Sequence, residues 1–111
     1  MNIDDFQQQA MRTAKRVDQA YDLTHAALGL TGEAGEFCDA IKKHVIYGKP
    51  LDRGNALEEL GDILWFCALA AETLGVNLSE IADQNVRKLR LRYPEKYSDN
   101  LANQRLDKEV A

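Results

Sequence analysis

Glu33-x-x-Glu36 and Glu59-x-x-Asp62 each set two carboxylates three residues apart. Residues at that spacing share one face of an α-helix, so each pair presents its acids in one direction. If the two helices pack together, four carboxylates gather in a small volume. Like charges that close repel unless a cation lies between them. Mg²⁺ suits such a site, because it takes carboxylate oxygens and keeps water or substrate phosphates as its other ligands. The pattern therefore implies metal-dependent chemistry on phosphates. The plain alternative for any one pair is a solvated helix face. Here both pairs lie among apolar and small residues, and Glu59 and Asp62 run directly into Ile63-Leu64-Trp65-Phe66. Glu58 has a simpler explanation, since Asn55-Ala56-Leu57-Glu58 matches a capping box.

Cations and glycines accompany the acids. Asn85, Lys88 and Arg92 fall along one stripe of a later helix, beside the apolar ridge Leu78, Ala82, Val86, Leu89 and Tyr93. Placed near a helix C-terminus, Lys88 and Arg92 need no function. Beside an acidic metal site they make sense as phosphate ligands, and the Asn85 amide suits a base edge or a sugar hydroxyl. Arg87 and Arg90 point elsewhere and read as surface charge. Gly29, Gly32 and Gly35 each cost about 0.5–1 kcal/mol in a helix relative to alanine. They imply close approach of a facing helix or a ligand, or a break in the helix.

The elements that must position these residues read as helices. Strand signals are almost absent, and no repeat or low-complexity stretch occurs. The spacing predicts a first helix from 3 to about 19, with Phe6, Ala10, Met11, Ala14 and Val17 as its apolar stripe. A second begins near Asp22 or Thr24 and runs towards His44. Residues 45–55 contain Gly48, Pro50 and Gly54 and read as a loop. The third helix starts near Asn55 and stops near Gly75. Asn77-Leu78-Ser79-Glu80 resembles a capping box opening a fourth helix, which Pro94 limits. After Tyr97 the chain is polar and is expected to be extended or loosely attached. The expected organisation is one helical domain over 1–97 and a polar tail over 98–111. The third helix is apolar nearly all round: Ile63, Phe66, Ala70 and Leu74 share one face, Leu60, Leu64, Cys67 and Ala71 the next, Trp65 and Leu69 another. Such a helix must be buried nearly all round, which four helices from one chain do poorly. The expectation is an all-α antiparallel bundle of four to five helices, completed by dimerisation.

Composition bounds the rest. The chain has 111 residues, 45% hydrophobic and 29% charged, which suits one globular domain. A net charge of -4 gives no support to nucleic-acid binding. No apolar run is long enough for a membrane span, and the acidic start Met1-Asn2-Ile3-Asp4-Asp5 does not read as a signal peptide. Cys38 and Cys67 are the only cysteines and are expected to be small core thiols in a reducing cytoplasm.

Gly32-Glu33-Ala34-Gly35-Glu36, Glu58-Glu59-Leu60-Gly61-Asp62 and Asn85-x-x-Lys88-x-x-x-Arg92-Tyr93-Pro94, in that order, resemble the MazG-like nucleoside triphosphate pyrophosphohydrolases. The resemblance spans roughly 25–97. His25-Ala26-Ala27-Leu28-Gly29-Leu30 and Lys42-Lys43 are similar to the compact single-domain branch of that family, which includes phage-encoded members. The resemblance implies an all-α fold whose core is built by helices of two subunits, as a homodimer or tetramer. It implies Mg²⁺-dependent (or Mn²⁺-dependent) cleavage of a nucleoside triphosphate to the monophosphate and pyrophosphate. Carried over by position, Glu33, Glu36, Glu59 and Asp62 are the metal ligands, with Glu36 or Glu33 also the candidate base. Lys88 and Arg92 hold phosphates and Asn85 contacts the nucleoside. Lys42, Lys43 and the loop around Lys49 are weaker phosphate candidates. Base preference does not transfer. The rival readings are a dUTP-, dCTP- or phosphoribosyl-ATP-type pyrophosphohydrolase of the same fold group, or a non-catalytic helical dimer that binds nucleotide or protein.

Overall fold

A computed structural model describes residues 1–108, and it is all-α. The elements are α1 (Ile3–Met11), α2 (Gln19–Val45), α3 (Arg53–Thr73), α4 (Leu78–Arg92), α5 (Asp99–Gln104) and a terminal 3₁₀ turn (Leu106–Lys108). No strand occurs among the described residues. The described residues form two compact units, the first Met1–Leu78 and the second beginning at Ser79.

In the first unit α3 is the central helix, with α2 along one side and α1 along another. Ala10, Ala68, Ala71 and Leu78 form the buried centre, with Phe6, Met11, Trp65, Cys67 and Val76 packed around them. The small residues bring α1 close to α3. Gln7 is fully buried at this contact and uses its whole amide. Its Nε2 donates to Glu72 Oε2 (2.8 Å) and to the Val76 carbonyl (3.0 Å), while its Oε1 accepts from the Leu78 N–H (2.7 Å). It thereby satisfies backbone groups at the α3–α4 turn that burial would otherwise leave unpaired.

The expected first helix through 19 is corrected by the structure. α1 stops at Met11, and α2 begins at Gln19, ahead of the expected Asp22 or Thr24. Side chains outcompete helix bonds in this stretch. The Thr13 hydroxyl donates to the Ala10 carbonyl (2.7 Å). The buried Asp22 carboxylate accepts from the Val17 N–H (3.0 Å) and from Arg16 Nε (2.8 Å). Asp18 caps α2 by accepting from the Tyr21 N–H (2.8 Å). Val17, expected on an apolar stripe, is exposed. The start of α3 is also corrected: the cap is Asp52, which accepts from the Asn55 N–H (3.0 Å), so Asn55 lies inside the helix. Gly75, in the left-handed region at φ +75°, follows the end of α3 as expected.

From 98 to 108 the chain is largely helical and not extended. Ser98 caps α5, and Asp107 of the terminal turn grips Arg92 of α4 within the second unit. Cys38 is exposed and Cys67 half-buried, so only Cys67 fits the expected core thiol; burial raises its pKa.

The third helix is not covered all round within this chain. Ala68, Leu69 and Ala71 are buried, but Leu57, Leu60, Leu64 and Leu74 are exposed. On α2, Leu28, Val45 and Ile46 are exposed as well.

Candidate active site

The α2–α3 seam runs antiparallel, and three contacts fix its register. Gly29 meets Phe66: a Cβ there would overlap the aromatic ring. Glu33 lies beside Glu59 and Asp62. Ala40 and Asn55 line one cleft. Positions rise along α2 as their partners fall along α3. The close approach expected from the glycines is thus real at Gly29, whereas Gly32 and Gly35 face open space in this chain.

This register brings the two acidic motifs together. Carboxylate oxygens of Glu33, Glu59 and Asp62 lie within 4.8 Å of one another. Glu59 is 7% exposed. Glu36, the fourth expected ligand, is exposed and stands outside this group of three, though it acts on Glu59 electrostatically. The neighbouring Glu33 carboxyl, then burial, then the charge of Glu36 push the Glu59 carboxyl up to about 7 from an ordinary 4.5. Glu33 Oε2 and Glu59 Oε2 are buried and have no hydrogen-bond partner among the described residues. Buried oxygens normally have donors. Two that lack them, in a knot of acids, are what a divalent cation would satisfy, and oxygen donors are the set Mg²⁺ prefers. The residues present fit a hard cation.

Towards the α2–α3 loop the seam opens into a cleft of about 330 Å³ lined by Ala40, Lys43, Lys49, Pro50, Asp52 and Asn55. Lys43 Nζ pairs with Asp39 (3.0 Å), and Lys42 with the same carboxylate (3.6 Å). The two lysines hold the Asp39 pKa below the usual carboxylate value. The Lys49 carbonyl meets His44 Nδ1 (2.7 Å), which ties the loop to α2. Nothing in the local spacing signalled that Asp52 and Asn55 would stand beside Lys43, because that proximity comes from the loop folding back along the seam.

The chain belongs to the MazG nucleotide pyrophosphohydrolase family. The MazG nucleotide pyrophosphohydrolase domain matches residues 22–97, the span that carries both acidic motifs. The Gene 37 protein of Mycobacterium phage L5 is 33% identical over 102 residues, covering 83% of this chain and 89% of that relative. No solved structure matches the chain. The family span includes α4, where Asn85 and Lys88 are exposed. Arg92 is differently placed from a free phosphate ligand. Its Nε and Nη2 donate to the two carboxylate oxygens of Asp107 at 2.8 and 3.0 Å, and the Asp107 side chain is 2% exposed. This two-pronged bond raises the Arg92 pKa and lowers that of Asp107. No helix among the described residues is long and apolar enough to cross a membrane.

Proposed function

We propose that this MazG-family protein hydrolyses nucleoside triphosphates to nucleoside monophosphates and pyrophosphate, with Mg²⁺ (or Mn²⁺) held by Glu33, Glu36, Glu59 and Asp62. The observation that carries this reading is the cluster of acids across the α2–α3 seam with two buried, donorless oxygens. When bound, the metal supplies charge neutralisation for the triphosphate and acidity for a bound water.

The protein's own groups supply the rest. Water attacks the α-phosphorus; the new P–O bond replaces the bond to the α,β-bridging oxygen, and pyrophosphate departs. Glu36 accepts the water's proton as general base. Lys88 and Arg92 stabilise charge on the departing pyrophosphate, Lys43 holds the phosphate tail, and Asn85 contacts the nucleoside. For Arg92 this role requires that Asp107 release the guanidinium.

A second copy of the chain completes the fold as a homodimer or a tetramer. In support, Leu57, Leu60 and Leu64 of α3 are exposed. A groove of about 420 Å³ on α2, lined by Phe37, Cys38, Ile41, Lys42, Val45 and Ile46, is similarly open. Exposed apolar surface of this extent is characteristic of association. The setting is the cytoplasm, where the enzyme would regulate or sanitise the nucleotide pool.

The test is pyrophosphate release from all canonical ribo- and deoxyribonucleoside triphosphates, with and without Mg²⁺. Metal-dependent release from at least one nucleotide, abolished by Glu36→Gln in a folded protein, is the expected result. No release from any nucleotide with either metal, or full activity in Glu36→Gln, would sink the reading. The panel also separates the general activity from a dUTP-, dCTP- or phosphoribosyl-ATP-type specificity when those substrates are added. Sedimentation velocity decides the assembly.

A further inference from the structure

The α2–α3 seam continues past the acids in the direction away from the lysines. Roughly one helical turn beyond Asp62 stand Trp65 and Phe66, and about two turns before Glu33 stands His25. The His25 ring lies edge-on to Phe66 with 5.5 Å between centroids, and to Trp65 at 6.3 Å. Trp65 and Phe66 form a T-shaped pair at 4.9 Å, and the half-exposed Tyr21 lies 6.2 Å from His25. The indole is anchored, because Trp65 Nε1 donates to the Thr13 hydroxyl at 2.9 Å. Within this aromatic surround His25 Nδ1 is buried and has no hydrogen-bond partner among the described residues. Packing explains the rings. It does not explain a polar nitrogen enclosed among them with no partner.

The order of chemistry along the seam matches the order of groups in a nucleotide. Cations stand at the loop end (Lys43 and Lys49), acids in the middle, and flat aromatic rings with one unsatisfied nitrogen at the other end. His25 and Glu33 are eight helical residues apart, about 12 Å along the axis, which is the scale of a nucleoside. Aromatic rings accept any base face by stacking, so discrimination must come from a polar group. A neutral imidazole offers one donor and one acceptor.

We propose that His25 is the specificity-determining residue of this site. The nucleotide lies along the seam with its phosphate tail towards Lys43 and Lys49 and its base against Trp65 and Phe66, where His25 Nδ1 hydrogen-bonds the base edge. The proposal rests on the pyrophosphohydrolase reading for the direction of the substrate, but base binding can be tested without turnover.

Trp65 is the only tryptophan, so its fluorescence reports on this end of the seam alone. The full-length protein, its His25→Ala variant and its His25→Gln variant are titrated with the four nucleoside monophosphates. The kcat/KM values of the three proteins are then compared across the triphosphate panel. Quenching in the wild type should depend on the base. In His25→Ala the spread of kcat/KM between the best and worst bases should narrow by about tenfold, the size of one lost hydrogen bond. His25→Gln, which keeps a polar group, should restore part of the spread. An unchanged spread, an equal change for every base, or the absence of quenching in the wild type would overturn the proposal. Base-dependent quenching that is lost in His25→Ala without turnover of any nucleotide would overturn the enzymatic reading and leave the assignment of His25 standing. If His25→Ala loses its helical circular dichroism, His25→Gln alone decides: an unaltered order of base preference counts against the proposal, and an altered order supports it.

Discussion

Glu33 and Glu59 face each other across the α2–α3 seam, and each buries a carboxylate oxygen with no hydrogen-bond partner among the described residues. Metal-free, the pair lowers its repulsion by keeping a proton, which is why the Glu59 carboxyl titrates near 7. Charge repulsion and burial thus act against folding at the same place where a cation would be held.

Removing that charge should separate stability from function. Glu59→Gln keeps the side chain's shape and ends the repulsion, so the metal-free protein should melt at a higher temperature than the wild type. The same variant should lose the thermal stabilisation that Mg²⁺ gives the wild type, and turnover should fall by at least about a hundredfold, the loss typical when a group stabilising transition-state charge is removed. Differential scanning fluorimetry with EDTA and with Mg²⁺ reads both effects. A lower metal-free melting temperature in the variant would contradict the account of Glu59.

The same group sets a pH dependence. The folded protein binds a proton at Glu59 with a pKa of about 7, against 4.5 for the ordinary group. Its contribution to stability is fully present below about 4.5 and is lost as pH rises through about 7. Asp22 and Asp107 are shifted the other way, from a starting value of 3.8, so their contributions change only in more acidic solution. The metal-free melting temperature should therefore fall between pH 5 and pH 8, and Glu59→Gln should flatten that slope. Because Mg²⁺ competes with the proton, its stabilising shift should be larger at pH 8 than at pH 6.

Gly29 and Gly32 look alike in sequence and should behave differently. A Cβ at Gly29 would strike the Phe66 ring, whereas one at Gly32 meets nothing in this chain. Gly29→Ala should destabilise by about 1–3 kcal/mol through overpacking, and Phe66→Leu should relieve part of that loss. Gly32→Ala should stabilise an isolated chain by about 0.5–1 kcal/mol through helix propensity. Urea unfolding measures both. If a second copy packs on this stripe, Gly32→Ala should instead weaken the dimer, and sedimentation would show it.

Arg92 and Asp107 can be assigned by comparing their variants. If Arg92 serves only to hold the terminal turn, Arg92→Ala and Asp107→Ala should have matching, small effects on turnover. If the guanidinium also binds phosphate, Asp107→Ala frees it and should leave KM unchanged or lowered, while Arg92→Ala raises it. Steady-state kinetics of the two variants, with circular dichroism as a control for folding, gives the answer.

The resemblance of three ordered motifs pointed to the family. The sequence by itself also determined the helical class, the two acidic motifs and their sharing of helix faces. These follow from local spacing: a three-residue interval fixes a common face whatever the helix packs against, and Gly75 ends a helix through its own backbone freedom. Tertiary structure decided which acid is buried, which glycine is needed and which arginine is engaged. Glu59 titrates near 7 only because Glu33 and Glu36 are folded against it. Gly29 is required only because Phe66, distant in sequence, lies over it, and Arg92 meets an aspartate fifteen residues later. The end of the first helix was illegible for the same reason. Residues 12–18 carry a helical pattern, but Asp22 accepts from the Val17 N–H there and Asp18 caps a new helix through the Tyr21 N–H, and these bonds win the competition. Local periodicity records which face a residue is on; only the packed chain determines what that face meets.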